Sequence, residues 1–360
     1  MFTKKRAAAI VLVIAAVFTL LMGGCQQKTE NTPAPGNTSA APSDTSAPAE
    51  PEFVFKIGHD QPENHPYQNF AVTFADEVKK ATNGKVEIEI FPGAQLGSEA
   101  AMTDSVRMGT LDFVISTTGN SSSLLPRIGI MGMPFMYENG DHALAVSKDE
   151  GLLQYYQDIV READVGIELL AFAASGPRNI YSTVPVTSLE DLKGLKIRCQ
   201  TSPIEVEVWK ALGAIPTSMP FAEIYTALQT GLVKAAENCP TSYVINKHNE
   251  VAPYYVKTEN TWMMHPILAS SATLEKVDDA ARQAFYSAAK VAAQAIYDAQ
   301  QVSDEKNLEE GIAAGVKYTD TIDRKPFMDV VIPIQDRFAK ELDTQYALDR
   351  VRSLAPSAAK

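Results

Sequence analysis

The strongest constraint on this chain is an order of elements that occurs twice. FVFKI at 53–57 reads as a strand closed by Gly58, and 67–81 sets Phe70, Phe74, Ala75 and Val78 at helical spacing. Val86, Ile88 and Ile90 then alternate with Glu87 and Glu89, the period of a half-buried strand. A helix over 99–108 and a strand over 111–115 complete the unit. The order returns with strands over 168–173 and 179–182, a turn at 189–192 and a strand over 195–199. Helices over 204–212 and 221–229 and a strand over 233–237 follow. Strands alternating with helices build a parallel or mixed sheet covered by helices. Two such units predict an α/β fold of two lobes, for which 360 residues suffice. In open α/β sheets ligands sit beyond the carboxyl ends of the strands, so the residues just after each strand are the ones to examine.

A proline-free stretch over 277–313, rich in Ala, Gln, Glu and Lys, predicts about 50 Å of helix. That exceeds one small lobe. It is either a kinked surface pair or one helix spanning both lobes.

The N-terminus carries a different signal. Lys4, Lys5 and Arg6 precede an apolar run from Ala7 to Met22, then Gly23, Gly24 and Cys25. This is the order of an export signal, and the run is short for a membrane span. A cysteine after two glycines is similar to the bacterial lipoprotein processing site, so 1–24 is expected to be a leader and Cys25 the lipidated residue. Residues 25–52 are Thr, Ser, Pro, Ala, Asn and Gln with few apolar side chains, a tether that buries too little to fold. A formal net charge of −12 argues against nucleic acid or an anionic membrane surface as partner. Of the three cysteines, Cys199 and Cys239 remain after Cys25, and an exported protein permits a disulfide between them without requiring one.

Enzyme templates find no match: there is no Gly-x-Ser-x-Gly elbow, zinc helix or phosphate loop. The five histidines, His59, His65, His142, His248 and His265, have no metal-ligand spacing. The chain is therefore expected to bind rather than catalyse, without metal or cofactor. Arg198 ends the strand Leu195-Lys196-Ile197, where a guanidinium can grip a carboxylate with two parallel hydrogen bonds. A structural ion pair is the alternative use of the same residue. Arg178 follows an expected turn at Gly176-Pro177, Asn238 follows a strand, and Phe221 could form an apolar wall.

Around these residues the chain resembles the DctP-type solute-binding proteins of tripartite ATP-independent periplasmic (TRAP) transporters, from Phe53 to about Leu342. The blocks are FKIGHDQPENHPYQNFAVTFADEVKKATNGKVEIEIFPGAQLG, GTLDFVIS, MPFMY with Asp141-His142-Ala143, and GPRNIYSTVPVTSLEDLKGLKIRCQ through KALGAIPTSMPFAEIYTALQTGLVKAAEN. The resemblance implies a two-lobed, periplasmic-binding-protein-like (Venus flytrap) fold with a long helix shared by both lobes. Lobe I would comprise 53–175 plus about 269–308, and lobe II about 176–268 plus 309–345. It places the family's ligand arginine on Arg198, a second arginine on Arg178, and the Glu-Asn pair on Glu237 and Asn238. It also places Phe221 on the aromatic wall, Asp60 and Thr117 on the distal part of the ligand, and Trp262 and His265 on a stretch returning across the cleft. The family's Asp-Gly before Glu-Asn is here Lys234-Ala235. The implied activity is capture of a small carboxylate outside the cytoplasm for the membrane subunits of a TRAP transporter. An Asp60 facing the cleft favours a sugar acid over a C4-dicarboxylate. A ligand-sensing lipoprotein would share the same cleft, and an anchored hydrolase is the reading from a third class.

Overall fold

Period-two burial forms the first strands. In β1 (Phe53–Gly58), Phe55 and Ile57 are buried and Val54 and Lys56 exposed; in β2 (Val86–Phe91), Val86 and Ile88 point inward. The computed structural model describes residues 50–359, so the expected leader, Cys25 and nearly all of the tether lie outside the described residues. The strands that follow are β3 (Phe113–Ile115), β4 (Ile167–Ser182), β5 (Lys196–Cys199) and β6 (Ile215–Ser218). The last are β7 (Ala235–Asn238), β8 (Tyr254–Ser270) and β9 (Lys317–Thr319). They form one sheet in the order β2-β1-β3-β8-β4-β7-β5-β6, with β9 on β8.

The two predicted units occupy opposite ends of this sheet. β1 lies parallel between β2 and β3, and β5 lies parallel between β6 and β7. The antiparallel pair β4 and β8 joins the two ends: β3 pairs with β8 at 267–269, whereas β7 pairs with β4 at 179–182. One expectation is corrected here. The strands read over 168–173 and 179–182 are a single strand, β4, in which Gly176-Pro177 is no turn. The register of β4 on β8 shifts between Ala174 and Pro177, and a proline is tolerated in a sheet interior at such a bulge.

Each end has a core of its own, and a larger one runs through both, from Met102 and Val114 past Phe172 and Leu268 to Ile197 and Trp209. Phe55, Phe74, Phe113 and Phe285 pack mostly edge to face at one end, with centroids such as Phe113–Phe285 5.0 Å apart. Tyr181, Ile224, Tyr243 and Tyr255 gather at the other. The helix Asp279–Ala313, 35 residues or about 52 Å, serves both. Phe285, Ala289 and Ile296 enter the first core, and Leu308 packs on the second. This is the spanning helix rather than the kinked pair. No helix among the described residues is long and apolar enough to cross a membrane.

Candidate ligand cavity

The carboxyl ends of β1, β3, β5 and β7 converge from both ends of the sheet on one cavity. It encloses about 290 Å³ of non-atomic space, mouth included. Asp60 follows β1, Thr117 follows β3, Arg198 and Gln200 sit at the end of β5, and Asn238 ends β7. Arg178, one residue past the β4 bulge, and Phe221, at the start of the turn Phe221–Glu223, line it as well. A wider trough lies on the outer surface beside Glu150, Arg161 and Lys290. Its charges are open to solvent and satisfied by one another, as in Lys290–Glu150 at 2.8 Å, so it lacks the convergent buried groups of a binding site.

The two arginines are held in different ways. Arg178 is tied to Glu237 through its Nε–Nη2 edge: Nε donates to Oε2 at 2.6 Å, Nη2 donates to Oε1, and Nη2 also reaches the Glu237 carbonyl at 3.0 Å. Asn260 donates to the same carboxylate at 3.0 Å. Burial works against the Arg178 charge, but Glu237 outweighs it and holds the guanidinium more firmly protonated than usual. Arg198 is 2% exposed and donates twice to one neutral acceptor, the Met219 carbonyl, from Nε at 3.1 Å and Nη2 at 2.9 Å. Among the described residues no carboxylate pairs with it. Burial, and then the neighbouring Arg178 charge, push its pKa below the ordinary value.

The opposite wall is acidic and amide-rich. Glu99, the first residue of helix Glu99–Arg107, accepts from the Ser116 hydroxyl at 3.0 Å, the Thr117 amide and Asn120 Nδ2 at 2.9 Å. Burial, with Asp60 adding to it, pushes the Glu99 carboxyl up to about 7. Asp60 is half-buried and accepts from Gln61 at 3.0 Å; burial raises its pKa against that bond and against Arg198. Sequence reasoning missed Glu99, Tyr67, Asn120, Gln200, Ser242 and Met263, all of which line the cavity. Glu99 carried one readable signal, a helix start directly after the N-cap Ser98.

Two expected ligand contacts fall elsewhere. Side chains alternate along β8, so Met263 faces the cavity while Trp262 faces a pocket on the other side of the sheet, beside Pro177, Tyr255 and Asp304. His265 shares the Met263 face but lies behind the wall. Its Nδ1 is 3.4 Å from the Tyr67 hydroxyl and 3.1 Å from the Ser116 carbonyl, and its Nε2 is 2.8 Å from Ser175 Oγ. Burial pushes its pKa down to about 4. Histidines scattered in sequence thus meet in space, since His59, His65 and His265 all pack against Tyr67. No metal-binding cluster occurs among the described residues. Cys199 and Cys239 are both free and buried, which answers the disulfide question left open by spacing.

Direct hydrogen bonds cross the cavity. Gln200 Nε2 donates to Thr117 Oγ1 at 3.0 Å, the Thr201 amide to Asn120 Oδ1 at 3.0 Å, and Asn246 Nδ2 to Gln61 Oε1 at 3.3 Å. His65 Nε2 lies 3.0 Å from Ser242 Oγ. Gly119 permits the closest approach: a Cβ there would lie 2.2 Å from Gln200 Oε1 and 2.6 Å from Glu205 Oε1.

A two-lobed α/β clamp with a charged cavity at converging strand ends is the architecture of a ligand-capturing protein. The chain belongs to bacterial extracellular solute-binding protein family 7, DctP, whose profile matches residues 57–341. A solute-binding protein of Roseobacter denitrificans is 35% identical over 232 residues, 63% of this chain and 70% of that one. The structure of a TRAP periplasmic solute-binding protein from Xanthobacter autotrophicus PY2, with bound β-D-galacturonate, is 32% identical with a TM-score of 0.77; the match covers 83% of this chain and 99% of that one. A second, from Anaerococcus prevotii with bound D-glucuronate, is 28% identical with a TM-score of 0.79, covering 84% and 98%. The family places the chain's work outside the cytoplasm.

Proposed function

We propose that this protein captures a sugar acid with a single carboxylate, of the uronate kind, and hands it to the membrane subunits of a TRAP transporter. The observation that carries the reading is Arg198, a buried guanidinium whose only hydrogen-bond acceptor among the described residues is a neutral carbonyl. A ligand carboxylate would supply the missing negative charge, and a charge-assisted pair shielded from water is strong. Arg178 is already committed to Glu237 and offers no second free cation. Asp60 and Glu99 on the facing wall suit hydroxyl groups and would disfavour a second acid group. The uronates bound in the two related structures support the same class.

Capture follows from differential contact. A ligand touching both walls favours the state in which they meet, so closure and binding are one equilibrium. The lobe division belongs to this reading: the β4 bulge near 174–177 supports the expected boundary at about 175/176. The expected boundaries at 268/269 and 308/309 shift to near Met264, because 265–268 pair with 169–173 and β3, and to between Ile296 and Gln300, because Gln300 and Asp304 bond Cys239 and Thr241. So does the anchor: with Cys25 lipidated and 26–52 a tether, the clamp would stay near its transporter without spanning the membrane. We regard the protein as a binder, with no step of bond making in its cycle. Calorimetric titration with D-galacturonate, D-glucuronate, galactarate and succinate tests the ligand class. The two uronates should bind at least about tenfold more tightly than the diacids, a difference near 1.4 kcal/mol. Tighter binding of succinate or galactarate would overturn it.

A further inference from the structure

The long helix Asp279–Ala313 does more than join the two cores. We infer that Asp304, a buried carboxylate on this helix and outside the cavity, is a positioning residue for the ligand wall formed by Asn238 and Ser242. The inference rests on the cavity being the ligand site.

Two independent features converge on the Asp304 carboxylate. Its Oδ1 accepts from the Thr241 amide at 2.9 Å and the Thr241 hydroxyl at 2.6 Å, and Gln300 Nε2 steadies it at 2.8 Å. Thr241 lies in the first turn of the short helix Pro240–Ile245, where backbone amides lack partners of their own. A carboxylate from another element thus does the work of a cap, 63 residues away in sequence. The second feature is Gly176 in the β4 bulge. A Cβ there would lie 2.1 Å from Asp304 Oδ2, so the bulge leaves a side-chain-sized gap that the carboxylate fills.

Both features lead to the cavity. Directly before the capped helix, Asn238 lines the cavity, and its Oδ1 accepts from the Cys239 amide at 2.9 Å. One residue after Thr241, Ser242 lines it too and meets His65 from the opposite wall at 3.0 Å. Two residues after Gly176 comes Arg178. Asp304 is therefore the point at which the spanning helix, the β4 bulge and the Asn238–Ser242 segment are held in register, without touching the cavity itself.

The test compares Asp304→Ala, Asp304→Asn, Gly176→Ala and Arg198→Ala by calorimetry with D-galacturonate and D-glucuronate, well below each variant's melting temperature. Asp304→Ala should weaken binding about three- to thirtyfold, the size of a lost cap in affinity terms. Asp304→Asn keeps the acceptor and should restore most of the affinity. Gly176→Ala should weaken binding in the parent but much less in the Asp304→Ala background, because the colliding carboxylate is gone. Hydrogen exchange without ligand provides a second reading: Asp304→Ala should speed exchange of the 239–246 amides and leave those of β1 unchanged. An Asp304→Ala protein with parental exchange at 239–246, or with parental affinity while Arg198→Ala has lost binding, overturns the inference. Parental affinity in Arg198→Ala overturns the site assignment instead. If Asp304→Ala does not fold, Asp304→Asn and Thr241→Val decide by the same two measurements.

Discussion

Arg178 and Arg198 line the same cavity, yet only Arg178 has a carboxylate, Glu237, on its guanidinium edges. The division of labour is physical. A paired arginine is an internal strut, whereas an unpaired one keeps its charge open to an incoming anion. The two substitutions should therefore fail in opposite ways.

Arg198→Lys keeps charge but loses the planar fork. One charged hydrogen bond is worth roughly 1.5–3 kcal/mol, so affinity for the cognate acid should fall about ten- to a hundredfold. Arg198→Ala should fall further, because it leaves the ligand carboxylate buried without a partner. Melting curves of both should stay near the parent. An Arg198→Ala protein that unfolds would mark Arg198 as a structural residue.

Glu237→Ala should show the reverse. Arg178 would then be a buried charge with no carboxylate, a loss of about 3–5 kcal/mol in stability. Urea denaturation measures it directly. Glu237→Ala with a parental midpoint would show that the pair adds nothing to the fold.

Gly119→Ala isolates closure from ligand contact. Alanine is a better helix former than glycine, so the short helix Thr118–Ser121 should not weaken. Its methyl would meet Gln200 and Glu205 across the cavity and hold the walls apart. Affinity should drop about tenfold, a loss of 1.4 kcal/mol. The fall in radius of gyration expected of the parent on binding ligand should shrink or vanish in small-angle scattering. Equal compaction in both proteins would contradict the contact.

Glu99 gives a pH dependence of definite sign. Its carboxyl titrates near 7 in the folded protein against an ordinary 4.5, so it is protonated over a window in which the unfolded chain is not. Its contribution to stability is therefore present at low pH and lost as pH rises from about 4.5 to 7. An anionic ligand favours the neutral form, so affinity should increase as pH falls from about 8 to 6, with proton uptake on binding. Calorimetry in buffers of different ionisation enthalpy measures the uptake. Glu99→Gln should flatten the profile.

Arg198 was legible because a strand end and a terminal arginine coincide in one short motif. The convergence of strand ends on a cleft followed from the twice-repeated unit. What stayed hidden depends on distance or on facing. β8 has 17 residues, far beyond the usual strand of five or six, and its nearly continuous burial erases the alternation that would have revealed it. For the same reason Trp262 and His265 could not be told from Met263 as cavity residues. The helices Gly140–Ser147 and Lys325–Glu341 passed unread, the latter with Pro333 inside it. Asp304 gave no sign because its partners, Thr241 and Gly176, lie far away along the chain.

The unbroken course of β4 and β8 through both ends of the sheet bears on how such a protein changes over generations. Neither half can be lifted out as a cassette, because each contains sections of strands begun in the other. Exchange of one half between two relatives would require crossovers inside hydrogen-bonded strands and within the long helix. The route to a new ligand preference that leaves this scaffold intact is replacement of side chains at the strand ends.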